Sequence, residues 1–168
     1  MIYLCRSLAA LWHWPRGHRV GVGPDDIAIG HAREQTPMLI ALAGVMAVET
    51  ALIAVLLPWP WLHVLDALAL LQVLAIAATG VTHPHVLTRT DLILRDGTTK
   101  ELRIPLSTIA TVRVDRRTHR RVPGELSLPV GNQTDVLLVL TDATRIRFRA
   151  DDPRAAVSAL AAAGSNPA

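Results

Sequence analysis

A chain of 168 residues has room for one soluble domain beside any membrane segment, and its single cysteine, Cys5, excludes an internal disulfide. The hydrophobic share of 51% is ordinary, but residues 37–81 hold only two charged side chains, Glu49 and Asp66. Net charge is +3, and +5 for the chain without those two acids, so the basic balance lies wholly outside the apolar region.

The first 14 residues, MIYLCRSLAALWHW, are apolar but interrupted by Arg6, too short to span a bilayer, and followed by no small-x-small cleavage site. Leu4, Leu8, Leu11 and Trp12 recur at helical spacing, which predicts an interfacial or packed helix. Residues 19–31, RVGVGPDDIAIGH, read as a β-hairpin: Val20 and Val22 alternate, Gly23-Pro24-Asp25-Asp26 is a turn cluster, and Ile27 and Ile29 alternate again. Together these form an N-terminal segment, 1–36.

Two apolar runs follow, 37–57 and 61–81, separated by Pro58-Trp59-Pro60. Each has 21 residues, or about 31 Å as a helix, enough to cross a hydrocarbon core of about 30 Å. Arg6, Arg16, Arg19 and Arg33 precede the first run, Arg89 and Arg95 follow the second, and the turn carries no charge. The positive-inside rule therefore places both termini in the cytoplasm and the 58–60 turn outside, in a multi-pass protein of the cell membrane. All four tryptophans, Trp12, Trp14, Trp59 and Trp61, fall at the expected boundaries.

After His83-Pro84 the pattern changes to period two. Strands are expected on either side of a turn near Thr90-Asp91, then around Leu102 and Ile104, and again across Ile109, Val112 and Val114. A basic loop is expected from Arg116 to about Pro129. A second hairpin joins Val136–Leu140 to Ile146–Phe148, and Asp151-Asp152-Pro153 opens a helix over Arg154–Ala163 that Gly164 stops. The fold class is thus a transmembrane α-helical hairpin plus a small, mainly-β domain with a C-terminal helix, over 83–164.

This strand order, with Leu87-Thr88, Leu92–Leu94, Gly97, Ile104-Pro105-Leu106, Ile109, Val112, Ile146–Phe148 and Asp151-Asp152-Pro153, resembles bacterial pleckstrin-homology-like (PH-like) domains over His85–Leu160. Many such proteins join the domain to a two-helix membrane hairpin. The resemblance implies a β-sandwich or barrel capped by a helix. It implies neither phosphoinositide binding nor any catalytic residue.

The strongest polar feature is the run Arg113, Arg116, Arg117, Arg120 and Arg121. Facing a bilayer, each Arg adds about 1 kcal/mol of attraction to an anionic leaflet, and a guanidinium clamps phosphate with two bonds. The alternative is a solvated loop. No aromatic platform interleaves the arginines, so nucleic acid is not an expected partner.

Glu49, about 12 Å inside the first run, and Gln72, about 16 Å inside the second, lie at similar depth in an antiparallel hairpin and are within reach of a shared hydrogen bond. A carboxylate in hydrocarbon costs at least about 2.5 kcal/mol, so Glu49 is either helix-to-helix glue or a contact to a partner or conduit. Asp66 lies one turn from the outer interface. His63, His83 and His85 lack the company of cysteines or carboxylates that a metal site needs, and His83 and His85 read as an elbow where the chain leaves the bilayer. Cys5, Ser107, Thr108 and Ser127 have no recognisable nucleophile context, and no phosphate-binding glycine loop occurs.

The expected activity is non-enzymatic and cofactor-free: a PH-like interaction module at the inner leaflet, contacting lipid and a protein partner or a second copy. The competing expectation is an accessory subunit of a transport or envelope-export complex, with Glu49 and Gln72 in helix contacts.

Overall fold

The computed structural model describes residues 9–57, 59–97, 100–120 and 122–164. Two long helices are built from the apolar runs, α1 (Gln35–Leu56) and α2 (Pro60–Thr82). Both start with proline in the first turn, Pro37 and Pro60, where a missing N–H costs nothing because no intrahelical acceptor awaits it. They pack antiparallel, and their buried residues are small: Ala43 in α1, and Ala75, Ala77, Ala78, Thr79 and Thr82 in α2. Their large side chains, Val45, Val48, Leu52 and Val55 among them, point outward. Mean hydropathy over the best window is 2.4 for α1 and 2.1 for α2, with only 6% and 22% of those windows buried. A helix that is apolar on every side and uncovered is unlike the core helix of a soluble protein.

Eight strands form two sheets. The first runs in the order β1 (Ile27–Ile29), β2 (His85–Leu87), β3 (Asp91–Asp96), β4 (Lys100–Pro105), all antiparallel. The second has the order β5-β7-β8-β6, from β5 (Ile109–Thr118), β6 (Glu125–Leu128), β7 (Gln133–Leu140) and β8 (Arg145–Phe148). In it β5–β7 and β7–β8 are antiparallel, while β6 runs parallel to β8. Helix α3 (Pro153–Gly164) closes the chain. Its start is capped by Asp152, whose carboxylate accepts the Ala155 N–H at 3.0 Å, and Pro153 takes the first helical position.

The core comes from both sheets and α3. Leu87, Leu92, Leu94 and Ile104 of the first sheet share it with Val136, Leu138, Ile146 and Phe148 of the second, and Ala156 and Leu160 seal it. Phe148 is wholly buried, worth roughly 1.5–3 kcal/mol relative to exposure.

Two expectations are corrected. Residues 20–22 do not pair with 27–29; β1 pairs with β2 instead, in the register Ile27↔Leu87, Ala28↔Val86, Ile29↔His85. The backbone at 20–21 is engaged elsewhere: Val20 N–H donates to Thr82 O at 2.9 Å, the Arg95 guanidinium donates to Val20 O at 2.6 Å, and Gly21 takes φ 69°. The basic loop is also shorter than expected. β5 continues past a bulge to pair Arg117↔Thr134 and Thr118↔Gln133, and Glu125–Leu128 is drawn into the sheet as β6, beside β8. Leu4, Cys5, Leu8 and Pro58 lie outside the described residues; residues 9–13 are helical and lead into a 3-10 turn at Trp14–Arg16.

Because β1 precedes α1 and β2 follows α2, the helical pair is an insertion between two neighbouring strands of one sheet. Gly80 on α2 makes that junction possible. A Cβ there would stand 2.6 Å from the Ala32 Cβ, closer than two carbons can approach.

Candidate functional site

The junction is built on two buried basic side chains, Arg95 and Arg149. Arg95, on β3, donates to Glu101 Oε1 at 3.0 Å and to Val20 O at 2.6 Å, with Pro84 O and Gly21 O farther off at 3.4 Å. Arg149, just past β8, pairs with Asp135 at 2.9 Å and with Glu34 before α1, and also donates to Gln133 Oε1 at 2.6 Å. Asp151 N–H donates to Gly30 O at 2.7 Å, and its carboxylate accepts the Arg33 N–H at 2.9 Å. The segment entering α1 is therefore stitched to the second sheet as well as the first.

Between these anchors, His31 and His85 stack with ring centroids 4.4 Å apart and planes 20° apart, and His85 meets Phe148 edge-on at 5.4 Å. His85 Nδ1 accepts the Arg95 N–H at 3.0 Å, so the ring proton sits on Nε2, which is buried without a well-formed hydrogen bond although the Arg149 backbone acts on it. Burial holds the His85 imidazole well below the usual value of 6.5, and the neighbouring His31 adds to this. His31 is lowered by burial too, against the opposing pull of Asp151 and Asp96. Both rings line a cavity of about 210 Å³ with Gln35, His83 and Asp96.

The arginine run lies mostly on a strand. Arg113, Arg116 and Arg117 stand on β5, Arg120 follows it, and Arg121 lies outside the described residues. Asp115 gathers three guanidinium groups: Arg147 at 2.9 Å, Arg117 at 3.1 Å and Arg113 at 3.8 Å. The Arg147 hydrogen bond holds the Asp115 carboxyl below its usual range. Arg147, almost fully buried, also reaches Glu125 at 2.5 Å, and Arg116 faces Asp135 at 3.6 Å. Thus three of the five expected arginines are partly neutralised in place. Arg117, His119, Arg120, Ser127, Thr134 and Arg147 line one depression of about 500 Å³. His119 Nδ1 and Ser127 Oγ stand 3.0 Å apart on its wall, and Arg120 makes no ion pair among the described residues. Glu125 also lines it but is already paired with Arg147, so the remaining arginine and hydroxyl groups around the concavity suit an anion.

Sequence reasoning passed over Arg147 and Arg149. The signal was there in Arg145-Ile146-Arg147-Phe148-Arg149: with Ile146 and Phe148 in the core, Arg145 and Arg147 must share the opposite face of β8, and Arg149 follows directly after it.

The expected hydrogen bond between Glu49 and Gln72 is not formed. Glu49 is exposed, whereas Gln72 Oε1 is buried without a partner. Glu49 lies six residues beyond Ala43, or about 240° around the helix, which turns it away from the packing seam. Asp66 is half-buried, with Oδ2 also unpartnered. His63 Nε2 contacts Leu57 O at 3.1 Å across the turn, and His83 Nδ1 lies 2.9 Å from the Thr82 hydroxyl. Among the described residues, no three His, Cys, Asp or Glu side chains converge as metal ligands.

Compared with known proteins, the chain matches no family model, no curated protein and no solved structure, so its own geometry carries the functional argument.

Proposed function

We propose that this is a non-enzymatic integral membrane protein whose helical hairpin fixes a PH-like β module against the inner leaflet, where the module binds an anionic lipid or a protein partner. The observation that carries this reading is the pairing of β1 with β2 around the two apolar helices. Any bilayer entered by α1 and α2 receives them from one side, and the module stays on that side. Arg16, Arg19, Arg33, Arg89 and Arg95 cluster at that end, while the opposite end presents Trp59 and Trp61, stacked at 6.0 Å. By the positive-inside rule that end is cytoplasmic. Two sheets followed by a helix support the PH-like reading, with two departures: a first strand taken from before the hairpin, and the parallel β6–β8 pair. The depression between Arg117, Arg120 and Arg147 is the partner site this reading favours.

The test has two parts. The chain is expected to resist carbonate extraction from membranes, and a reporter fused after Ala168 is expected to read cytoplasm. Release by carbonate, or a reporter on the outer side, would overturn the assignment.

Glu49 favours a second reading, that of a subunit in a larger membrane assembly. An exposed carboxylate on a lipid-facing helix costs at least about 2.5 kcal/mol, which a polar group on a partner helix would offset. In that case Glu49→Gln abolishes co-purification of a partner while leaving insertion unchanged.

A further inference from the structure

On the side of the junction away from the histidines, a groove of about 640 Å³ opens where the helices meet the β module. That is within the range of roughly 300–1,000 Å³ typical of small-molecule sites. Its walls change character along its length. Toward the helices they are Ile40 and Ala41 of α1 and Val81 of α2, with Ile40 47% and Val81 41% exposed. Toward the module they are Arg19 and Arg33. Between them Gly80 lies packed close against Ala32, and both line the groove.

Among the described residues, neither guanidinium has an ion pair or a side-chain hydrogen bond, in contrast to Arg95, Arg147 and Arg149. The one acid on the wall, Asp151, already accepts the Arg33 N–H at 2.9 Å, which fixes the backbone that carries Arg33. The lining therefore keeps a net positive charge directly above an apolar slot.

We infer that this groove binds one anionic phospholipid, its phosphate between Arg19 and Arg33 and an acyl chain along Ile40, Ala41 and Val81. The inference rests on the membrane reading above. The charge matches a headgroup with a net negative charge, basic pockets beside spanning helices at the cytoplasmic face suit such lipids, and guanidinium pairs phosphate with two parallel bonds. A soluble anion would have no use for the apolar half of the groove. The site is separate from the depression beside β5, with which it shares no lining residue.

The experiment uses the full chain, first checked for carbonate resistance, then purified in neutral detergent and titrated with phosphatidylglycerol or phosphatidylcholine, with retained lipid counted by native mass spectrometry. One phosphatidylglycerol per chain is expected, held roughly tenfold or more weakly after Arg19→Gln with Arg33→Gln. Ala41→Trp, which fills the slot but leaves the charge, is expected to weaken it as well. Arg145→Gln with Arg154→Gln, two exposed arginines that line neither concavity, is expected to leave it unchanged. Equal retention of phosphatidylcholine, or binding that survives Arg19→Gln with Arg33→Gln, or an equal loss with Arg145→Gln and Arg154→Gln, overturns the groove as a lipid site. Release by carbonate overturns the membrane reading together with it.

Discussion

The helical pair and the β module sort their side chains in opposite directions. In the module the large apolar groups go inward: Phe148, Leu92, Leu94 and Leu138 are all fully buried, and Arg145 shows its charge to the outside. In the hairpin the buried side chains are small, Ala43, Ala75, Ala77 and Ala78 among them, and the large groups go out, with Val55 85% exposed. Water drives the first arrangement, since burying apolar area is its main source of stability. It forbids the second as a free surface, because uncovered apolar patches of that size belong at an interface or in lipid. The two halves of one short chain thus present opposite kinds of surface, and they join at the β1–β2 pair.

Paired substitutions break or sharpen this contrast. The largest effect is expected from Phe148→Ala, a loss of about 3–5 kcal/mol in denaturant unfolding of the detergent-solubilised chain, whereas Leu52→Ala, on the outer face of α1, is expected to cost less than about 1 kcal/mol. Equal losses would mean that α1 is packed as a soluble core helix is. At the seam, Gly80→Val forces a side chain against Ala32 and is expected to cost about 1–3 kcal/mol, read as faster amide exchange in Ile27–Ile29 and His85–Leu87 with the Phe148 core still protected. Uniform exchange across the module would show that the seam and the core do not separate.

A smaller effect is expected from pH. His31 and His85 are both lowered by burial, so the folded chain binds fewer protons than the unfolded one just below the usual value of 6.5. Stability is therefore full above about pH 6.5 and falls as pH drops below it, with each histidine contributing at most about 1.4 kcal/mol over the first unit. Asp151 and Asp96 oppose this at His31, while His83 reinforces it there, as Arg95 does at His85. Thermal unfolding between pH 7.5 and 5.5 tests it: His31→Phe should flatten the profile, and an unchanged slope in that variant would remove the stack as its source.

Much of the local structure was legible. An unbroken apolar run of span length admits few alternatives, and the alternation of Leu92, Leu94, Leu102 and Ile104 marks strand faces without help from distant residues. The Asp152-Pro153 start of α3 is equally local. Ile27–Ile29 was visible as a strand, but its partner was not. The nearer candidate, Val20–Val22, has the same alternation, and nothing local announces a partner on the far side of two helices. β6 was hidden for the same reason, since a parallel pair needs no turn signal and Arg145–Phe148 shows no preference for it in its own pattern.

The candidate sites divide likewise. Clustering of Arg113 to Arg121 was readable, yet the pairing of Arg113, Arg116 and Arg117 with Asp115 and Asp135 depends on strand register, in which a shift of one residue turns a side chain to the other face. Glu49 was conspicuous as a charge in an apolar run, but which way it faces follows from the alanine seam. By itself, then, the sequence determined the two long helices, α3 and most of the strands, because hydrophobic period and chain reach act over a few residues at a time. Only the tertiary structure decided that the hairpin grows out of one sheet, that His31 stacks on His85, and that Arg19 and Arg33 line one groove. Each of those contacts joins segments separated in sequence by the two helices or brought together at their ends, and so depends on packing that no local pattern encodes.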